Sequence, residues 1–186
     1  AKFGLLRGVV ANDPAFRLGV LWYLVPDESH TNDGRHVAYL ESSPKNKKRY
    51  RSCDPVLYDK LGDLVRAGKR TVSSIVESGL LPSQTVYHDQ PLTYRNLTSR
   101  VRKGYRERWI AEAHQAVDSA DVVFLDPDNG LEVGSAQHAS DGPKYVFYAD
   151  LDALGRSGKT IIVYQHANRD GSFSDQIQAR MSDLRR

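Results

Sequence analysis

The sequence predicts an α/β fold built on a single doubly wound, mostly parallel sheet of the Rossmann-like kind. Leu18 to Val25 reads LGVLWYLV, an apolar run without alternation that Pro26 closes. Such runs are typical of strands that are covered on both faces, as the strands of parallel sheets are. Helical patterns separate this run from later ones, and strands that alternate with helices indicate βαβ units. The length of 186 residues matches one domain, so we expect a single domain over residues 1–186.

Four further runs of similar length are predicted to complete the sheet. Each contains β-branched or aromatic residues, which strands favour. They are His36 to Leu40, Gln84 to His88, Val122 to Leu125 and Thr160 to Tyr164.

The starts and ends of three helices are also visible in the sequence. Asp54 followed by Pro55 predicts the start of a helix that Gly68 ends. A shorter helix is predicted over Val72 to Ser78. The last helix is predicted to begin at about Ser174 and to have an apolar face of Ile177, Met181 and Leu184.

The longest predicted helix has two different sides. Ser99 is expected to cap it. The apolar stripe, which we expect to face the core, consists of Val101, Tyr105, Trp109, Ala113 and Ala116 or Val117. The opposite side carries three cations that we expect to contact nucleic-acid phosphates, namely Arg102, Lys103 and Arg106.

Composition excludes several classes of protein. A single cysteine, Cys53, excludes an internal disulfide framework and a cysteine-rich zinc site, and it is typical of a reducing cytoplasm. The longest apolar runs are far shorter than the roughly 20 residues that a membrane helix needs, so we expect a cytoplasmic protein without a membrane partner. Because the chain lacks an initiating methionine and ends in a helical pattern, we expect it to be trimmed at its termini.

Basic residues are concentrated rather than abundant. The formal net charge is only +3, so any basic surface must come from local clusters. One cluster consists of Lys45, Lys47, Lys48, Arg49 and Arg51, and a second of Arg95, Arg100, Arg102, Lys103, Arg106 and Arg108. Either they are solvated surface charges or they contact the phosphates of a nucleic acid or nucleotide.

The segment Asp121 to Glu132, DVVFLDPDNGLE, carries the strongest indication of a functional site. A buried strand here ends abruptly in Asp126, Pro127, Asp128, Asn129 and Gly130. Pro-Asp-Asn-Gly also favours an ordinary β-turn. Carboxylates placed directly after a buried strand nevertheless require a ligand, a cation or hydrogen-bond donors. Asp126, Asp128 and Glu132 are therefore candidate ligands of Mg²⁺ or Mn²⁺.

Polar residues follow the other predicted strands as well. In open α/β sheets ligands collect beyond the carboxyl ends of the strands, where these loops should meet. His166 is a candidate catalytic base and Arg169 a candidate phosphate clamp. The candidate residues for binding a cofactor are Asp27, Glu28, Asp33 and Gly34 after the first strand and Asp89 after a later one.

VVFLDPDNG resembles the D-P-P-Y turn of class I S-adenosylmethionine-dependent methyltransferases that act on adenine. Asp126 and Pro127 match the first two residues of that turn. KFGLLRGVV and LGVLWYLV resemble the first helix and strand of the ribosomal-RNA adenine methyltransferases, and FLDP resembles a turn of the three-cysteine-motif partner proteins. The resemblance implies that Asp126, Asp128 and Asn129 hydrogen-bond the target amine or the cofactor. It also implies that the loop of Asp27 contacts the cofactor's ribose.

The sequence departs from that family in two places. The family has a G-x-G-x-G motif after the first strand, whereas PDESHTNDG supplies only Gly34. The aromatic residue of the family's turn is replaced by Asn129 or Gly130. A noncatalytic binding or assembly module is therefore an alternative.

VVFLDPDNGLE also resembles the first motif of haloacid dehalogenase-like phosphatases. That resemblance implies that Asp126 attacks phosphorus and Asp128 acts as acid and base, with Mg²⁺ between them. In that family the motif lies on the first strand, whereas here it lies two-thirds of the way along the chain. A metal-dependent nuclease that uses Asp126, Asp128, Glu132 and His166 is the related alternative.

Overall fold

The computed structural model describes residues 2–11, 13, 15–26, 37–41, 43–137, 139–167 and 171–185. The chain divides into two compact units. The first, which we call the helical unit, comprises residues 1–15 and 27–84, and the second, the sheet unit, comprises residues 16–26 and 85–186. The single domain expected from length stays a prediction.

The helical unit contains four α-helices among its described residues. They are α1 (Lys2–Ala11), α2 (Pro44–Asn46), α3 (Pro55–Arg66) and α4 (Val72–Glu77). A turn of π-helix over Lys47–Arg51 continues α2. The Asp54 carboxylate caps α3 by accepting from Leu57 N–H at 3.0 Å, as predicted, and Arg7 of α1 forms an ion pair with it at 2.7 Å.

The sheet unit contains six strands and three α-helices within the described residues. In chain order they are β1 (Leu18–Trp22), β2 (Val86–His88), α5 (Ser99–Ala116), β3 (Val122–Asp126), β4 (Gly130–Leu131), β5 (Tyr145–Val146), α6 (Tyr148–Gly155), β6 (Thr160–Val163) and α7 (Phe173–Asp183). Four of the strands form one parallel sheet in the order β2-β1-β3-β6. The other two, β4 and β5, form a short parallel ladder. The predicted α/β class with a mostly parallel sheet is confirmed.

The burial of the two interior strands, β1 and β3, accounts for the continuous apolar runs that predicted this sheet. All residues of β1 and the first four of β3 are buried. The α5 helix packs on them through Trp109, Ile110 and Ala113, and its C-cap Val117 lies in the same core with Val123 and Leu125. Contact between β1 and α5 is close, since a Cβ atom on Gly19 would lie 2.9 Å from Cβ of Val117.

Three local predictions were wrong. The run from His36 to Leu40 does not form a strand in its described part, because Ala38–Leu40 is a 3-10 turn with local backbone hydrogen bonds. Thr98 rather than Ser99 occupies the cap position of α5. Val101 of the predicted apolar stripe is 49% exposed.

Within the described ranges, no helix combines the length and the apolar character that crossing a membrane requires.

Candidate ligand site at the carboxyl edge of the sheet

The strand order identifies the point of the sheet where a ligand is expected. The chain passes from β1 to its neighbour β2 on one side and then to β3 on the other side of β1. The strand order therefore reverses between β1 and β3, and open α/β sheets bind ligands beyond the carboxyl ends at such a point. Trp22, the last residue of β1, is paired in register with Asp126, the last residue of β3.

The predicted site turn begins at this edge. Asp126 is half-buried, Pro127 is buried and Asp128 is exposed. Asn129 is held by its N–H, which donates to the carbonyl oxygen of Lys144 at 2.9 Å. Gly130 has φ of +91°, a backbone conformation that favours glycine. The turn thus connects β3 to the β4–β5 ladder and presents Asp128 to solvent.

Gln165, a residue that the sequence did not single out, fixes this turn to the end of β6. Its side-chain Oε1 accepts from Leu131 N–H at 2.8 Å, and its Nε2 donates to the carbonyl oxygen of His166 at 2.9 Å. A Cβ atom on Gly130 would collide with Oε1 of Gln165, so the amide occupies the space that this glycine leaves. The position of Gln165 directly after an apolar strand could have indicated a role for it. Its partner Leu131, however, lies 34 positions away in the sequence.

Glu132 does not join Asp126 and Asp128 in a metal site. Its carboxylate is buried and accepts from Tyr148 N–H at 2.7 Å and from Gln137 Nε2 at 2.8 Å. It therefore satisfies the N-terminus of α6, a position where a carboxylate is stabilised. No three histidine, cysteine or acidic side chains in the described ranges are grouped so that they could hold a metal ion.

A buried ion pair contacts the β4–β5 ladder, and neither partner was predicted to be buried. Arg106 of α5 donates to both carboxylate oxygens of Asp150 in α6, and both side chains are 5% exposed. Arg106 also donates to the carbonyl oxygens of Gly142 at 3.2 Å and Tyr145 at 2.7 Å. Its guanidinium carbon lies 3.6 Å from the centroid of the Phe147 ring. The prediction that Arg106 belongs to a free basic face is wrong.

The ion pair extends to Tyr23, which directly follows β1. The Tyr23 hydroxyl donates to Asp150 at 3.2 Å. Burial, together with the negative charge of Asp150, holds the pKa of Tyr23 well above its ordinary value, so the phenol remains a donor. Burial acts to lower the pKa of Arg106, but the charge and hydrogen bonds of Asp150 outweigh it and the pKa is raised.

Asp89 and His166, two predicted site residues, lie at other strand ends together with His88. His88, the last residue of β2, is buried, and its Nε2 has no hydrogen-bond partner within the described part of the chain. Burial lowers the pKa of His88, so its ring is neutral at pH 7. The adjacent Asp89 is exposed. His166 is exposed beyond β6, with its ring 4.7 Å edge-on from that of Tyr164.

An open groove of about 820 Å³ adjoins Gln165 and His166. Its walls are largely apolar, and the volume lies within the range of ligand pockets. Large exposed side chains on one face of α7 line it, with Phe173 68% and Ile177 42% exposed. Arg180 lies in the same wall and donates to the carbonyl oxygen of Glu132 at 3.0 Å.

The remaining predicted residues divide into two groups. Lys103 is exposed on α5, whereas Arg102 is half-buried, with its guanidinium 5.6 Å from the Tyr94 ring centroid and a hydrogen bond to the Leu97 carbonyl oxygen. The other group lies outside the described residues and consists of Asp27, Glu28, Asp33, Gly34 and Arg169.

Comparison of the chain with protein-family models, with curated proteins and with solved structures finds no match.

Proposed function

We propose that this protein is a methyltransferase-like domain that binds S-adenosylmethionine and acts on, or binds, nucleic acid. The observation that carries the proposal is the reversal of strand order between β1 and β3, with Asp126 at the end of β3 opposite Trp22. A parallel sheet with this order offers its ligand site at that edge. The Asp126-Pro127 turn is the feature that the sequence shares with adenine methyltransferases.

The described side chains at this edge fit the polar groups of the cofactor. His88 Nε2 is a buried nitrogen without a hydrogen-bond partner among the described residues, and Asp89 follows it with an exposed carboxylate. Carboxylates accept from ribose hydroxyls, and a neutral imidazole either donates or accepts. We propose that Asp89, together with Asp27, Glu28, Asp33 and Gly34 outside the described residues, binds the cofactor.

When bound, S-adenosylmethionine supplies a methyl group on a sulfonium, which a nucleophilic amine accepts. We assign Asp126, Asp128 and Asn129 to orienting that amine by hydrogen bonds, since they lie at the central edge of the sheet. The groove beside Gln165 is the space that we assign to the rest of the substrate, and His166 at its wall is the candidate proton acceptor. On the nucleic-acid side we assign Lys103, Arg102 and Arg169 to phosphates.

A metal-dependent nuclease or phosphoesterase that uses Mg²⁺ or Mn²⁺ is the second candidate, and it has less support. It requires Asp126, Asp128 and Glu132 to converge on an ion. Both carboxylate oxygens of Glu132 instead accept hydrogen bonds from protein donors, at 2.7 and 2.8 Å. A binding or assembly module without catalysis uses the same edge and differs only in lacking transfer chemistry.

Thermal unfolding with each candidate ligand tests the proposal. A ligand that binds only the folded state, at about a hundredfold excess over its Kd, adds about 2.7 kcal/mol to the free energy of unfolding. For a chain of this size that corresponds to a rise of roughly 5–10 °C in Tm. We expect this rise with S-adenosylmethionine, and we expect Asp126→Asn to reduce it.

Asp118→Asn is the matched control, because Asp118 is an exposed residue that precedes β3 at its opposite end. It should retain the full rise in Tm. A rise with Mg²⁺ or Mn²⁺ and none with the cofactor would contradict the proposal in favour of the hydrolase. If neither ligand raises Tm, the noncatalytic binding or assembly module is the candidate function that remains.

A further inference from the structure

The turn that follows α2 in the helical unit carries a concentrated positive charge. The segment Lys45–Arg51 reads KNKKRYR, with five cations and no acid. Arg51 forms an ion pair with Asp59, through hydrogen bonds of 2.9 and 2.7 Å. Within the described part of the chain the other four cations, Lys45, Lys47, Lys48 and Arg49, form no ion pair. The segment therefore has charge available for an external anion.

Local structure holds these cations on one short element. Ser43 caps α2 by accepting from Asn46 N–H at 3.2 Å, and the Asn46 side chain donates to the Ala38 carbonyl oxygen at 2.9 Å. The chain then continues as one turn of π-helix over Lys47–Arg51. Turns of π-helix are rare in proteins, and those that occur are often found at functional sites.

The same turn borders an open pocket of about 460 Å³. Three cations, Lys47, Arg51 and Arg66, line it together with one carboxylate, that of Asp59. Hydrogen bonds from Arg51 lower the pKa of Asp59, and the charges of Lys47 and Arg66 act in the same direction. Arg66 is also paired with Asp63 at 2.6 Å. Because Arg51 and Arg66 are each paired with an acid, Lys47 supplies the excess positive charge of the pocket, and that charge matches an anionic group such as a phosphate.

An exposed aromatic pair lies beside these charges. The ring centroids of Tyr39 and Tyr50 are 5.7 Å apart in an edge-on arrangement. Tyr39 is 36% exposed and Tyr50 is 37% exposed. The Arg49 guanidinium lies 5.4 Å from the Tyr50 ring centroid. Burial, and secondarily the neighbouring Tyr58, raises the pKa of Tyr39, so this phenol adds no negative charge to the surface.

We infer that the surface formed by Lys45–Arg51 and Tyr39, which we call the basic turn, binds single-stranded nucleic acid. The cations contact successive phosphates, one phosphate lies at the pocket between Lys47 and Arg66, and a base stacks on Tyr50. Cationic grooves with aromatic stacking surfaces are the common means of binding single strands. The inference deepens the proposed function and rests on its nucleic-acid part, but not on the cofactor.

The positive charge of the basic turn does not by itself favour a single strand, since a duplex presents a denser row of phosphates. The exposed tyrosines decide for a single strand, because only unpaired bases offer their faces for stacking. The pocket and the turn lie in the helical unit, whereas the edge of β1 and β3 lies in the sheet unit. The two sites can therefore be tested separately.

Fluorescence anisotropy with the full chain tests the inference. The probes are a labelled thymidine oligonucleotide of about twelve residues and a duplex of the same length, each titrated over a range of salt. We expect the single strand to bind more tightly. Tyr50→Ala should weaken it by about tenfold, whereas Tyr50→Phe, which retains the stacking face, should bind as the wild type does.

Charge-reversal variants provide a second test in the same binding experiment. Lys47→Glu with Lys48→Glu should weaken binding and lower the salt dependence, since each lost phosphate contact removes about 0.7 from the slope of log K against log salt. Lys69→Glu with Arg70→Glu, at exposed positions in the same unit, is the matched control and should change neither. Circular dichroism verifies that each variant is folded.

Three results would overturn the inference: equal affinity for duplex and single strand, an equal loss in the control double variant, or no effect of Tyr50→Ala. Failure of the cofactor part of the proposed function is seen separately. Tyr50→Ala should leave any rise in Tm with S-adenosylmethionine unchanged, because Tyr50 lies in the helical unit and Asp126 in the sheet unit. If wild type binds no oligonucleotide at low salt, both this inference and the nucleic-acid part of the proposed function are wrong.

Discussion

Asp150 is a buried carboxylate whose surroundings make its charge tolerable. It accepts hydrogen bonds from the Arg106 guanidinium, from the Tyr23 hydroxyl and from Phe147 N–H at 2.9 Å. Burying a charge is costly unless it is paired and hydrogen-bonded, and here both conditions hold. The pair joins α5 to the start of α6 and to the residue that follows β1.

We predict that Asp150→Asn destabilises the protein by about 3–5 kcal/mol, because it leaves the Arg106 cation buried without a counter-charge. Urea unfolding measures the change. Asp152→Asn is the control, since Asp152 is an exposed acid on the same helix and should change the free energy of unfolding by less than about 0.5 kcal/mol. Similar values for the two variants would show that the pair contributes little.

Two histidines are predicted to make stability depend on pH. Burial lowers the pKa of His88 and of His114 below the ordinary value of 6.5, although nearby acids oppose this. The unfolded chain therefore binds protons at higher pH than the folded one does, so their contribution is complete above about pH 6.5 and is lost as pH falls through the folded pKa values.

The test is unfolding of wild type and of the double variant His88→Gln, His114→Gln between about pH 7.5 and pH 5.5. We expect the wild type to lose stability on acidification and the double variant to lose less of it. Asp54 and Asp59, whose pKa values are lowered from 3.8, act at more acidic pH and do not interfere. An identical pH dependence in both proteins would refute the assignment.

At the scale of elements, two glycines, one in β1 and one in α5, differ in the space around them. Gly19 of β1 faces the end of α5 and has no room for a side chain, because a Cβ atom there would lie 2.9 Å from Cβ of Val117, the C-cap of α5, and 3.0 Å from Cβ of Ala120. A Cβ atom added at Gly104, inside α5, would meet no side chain within 4 Å. One glycine is therefore required by packing and the other is not.

Alanine substitution at these two glycines should have opposite effects. Gly19→Ala overfills the contact between β1 and α5 and should cost about 1–3 kcal/mol. Gly104→Ala replaces a flexible residue inside the helix at a half-buried position with room for a Cβ atom, and it should stabilise by about 0.5–1 kcal/mol. Urea midpoints compare the two variants with wild type. Destabilisation by Gly104→Ala would mean that this face of α5 is covered in solution.

At the scale of the whole molecule, the strands of the sheet differ in how they are supported. β3 is paired with β1 on one side and β6 on the other, and its first four residues are at most 3% exposed. β6 is paired on one side among the described strands, and none of its residues is buried. Protection from hydrogen exchange follows such differences in pairing and burial.

We therefore predict that amides of β3 exchange more slowly than those of β6. Hydrogen–deuterium exchange with peptide mass spectrometry over residues 122–126 and 160–163 measures this difference. The paired edge of β6 should be protected in part, because its residues 160–163 lie in register with 122–125. Slower exchange in β6 than in β3 would reveal a partner that covers its free edge.

Local patterns in the sequence determined much of the architecture. The apolar runs at Leu18 and Val122 predicted β1 and β3, because strands buried on both faces need no polar alternation. Asp54 with Pro55 predicted the start of α3, because capping depends on adjacent residues only. The location of Asp126 after a central strand follows from the same local reasoning.

Tertiary structure alone decided which polar residues are used inside the fold. Arg106 shares a helical face with Ile110, Ala113 and Val117, a signal that its charge concealed, and its partner Asp150 lies 44 positions away. Glu132 caps α6 and Gln165 holds Leu131, so neither is explained by its sequence neighbours. The sequence by itself determined where the interior strands β1 and β3 and the capped helix α3 form, since propensity and capping act over a few residues. The structure decided the ion pair of Arg106 with Asp150 and the use of Glu132 at the start of α6, because these depend on which distant groups folding brings within hydrogen-bond distance.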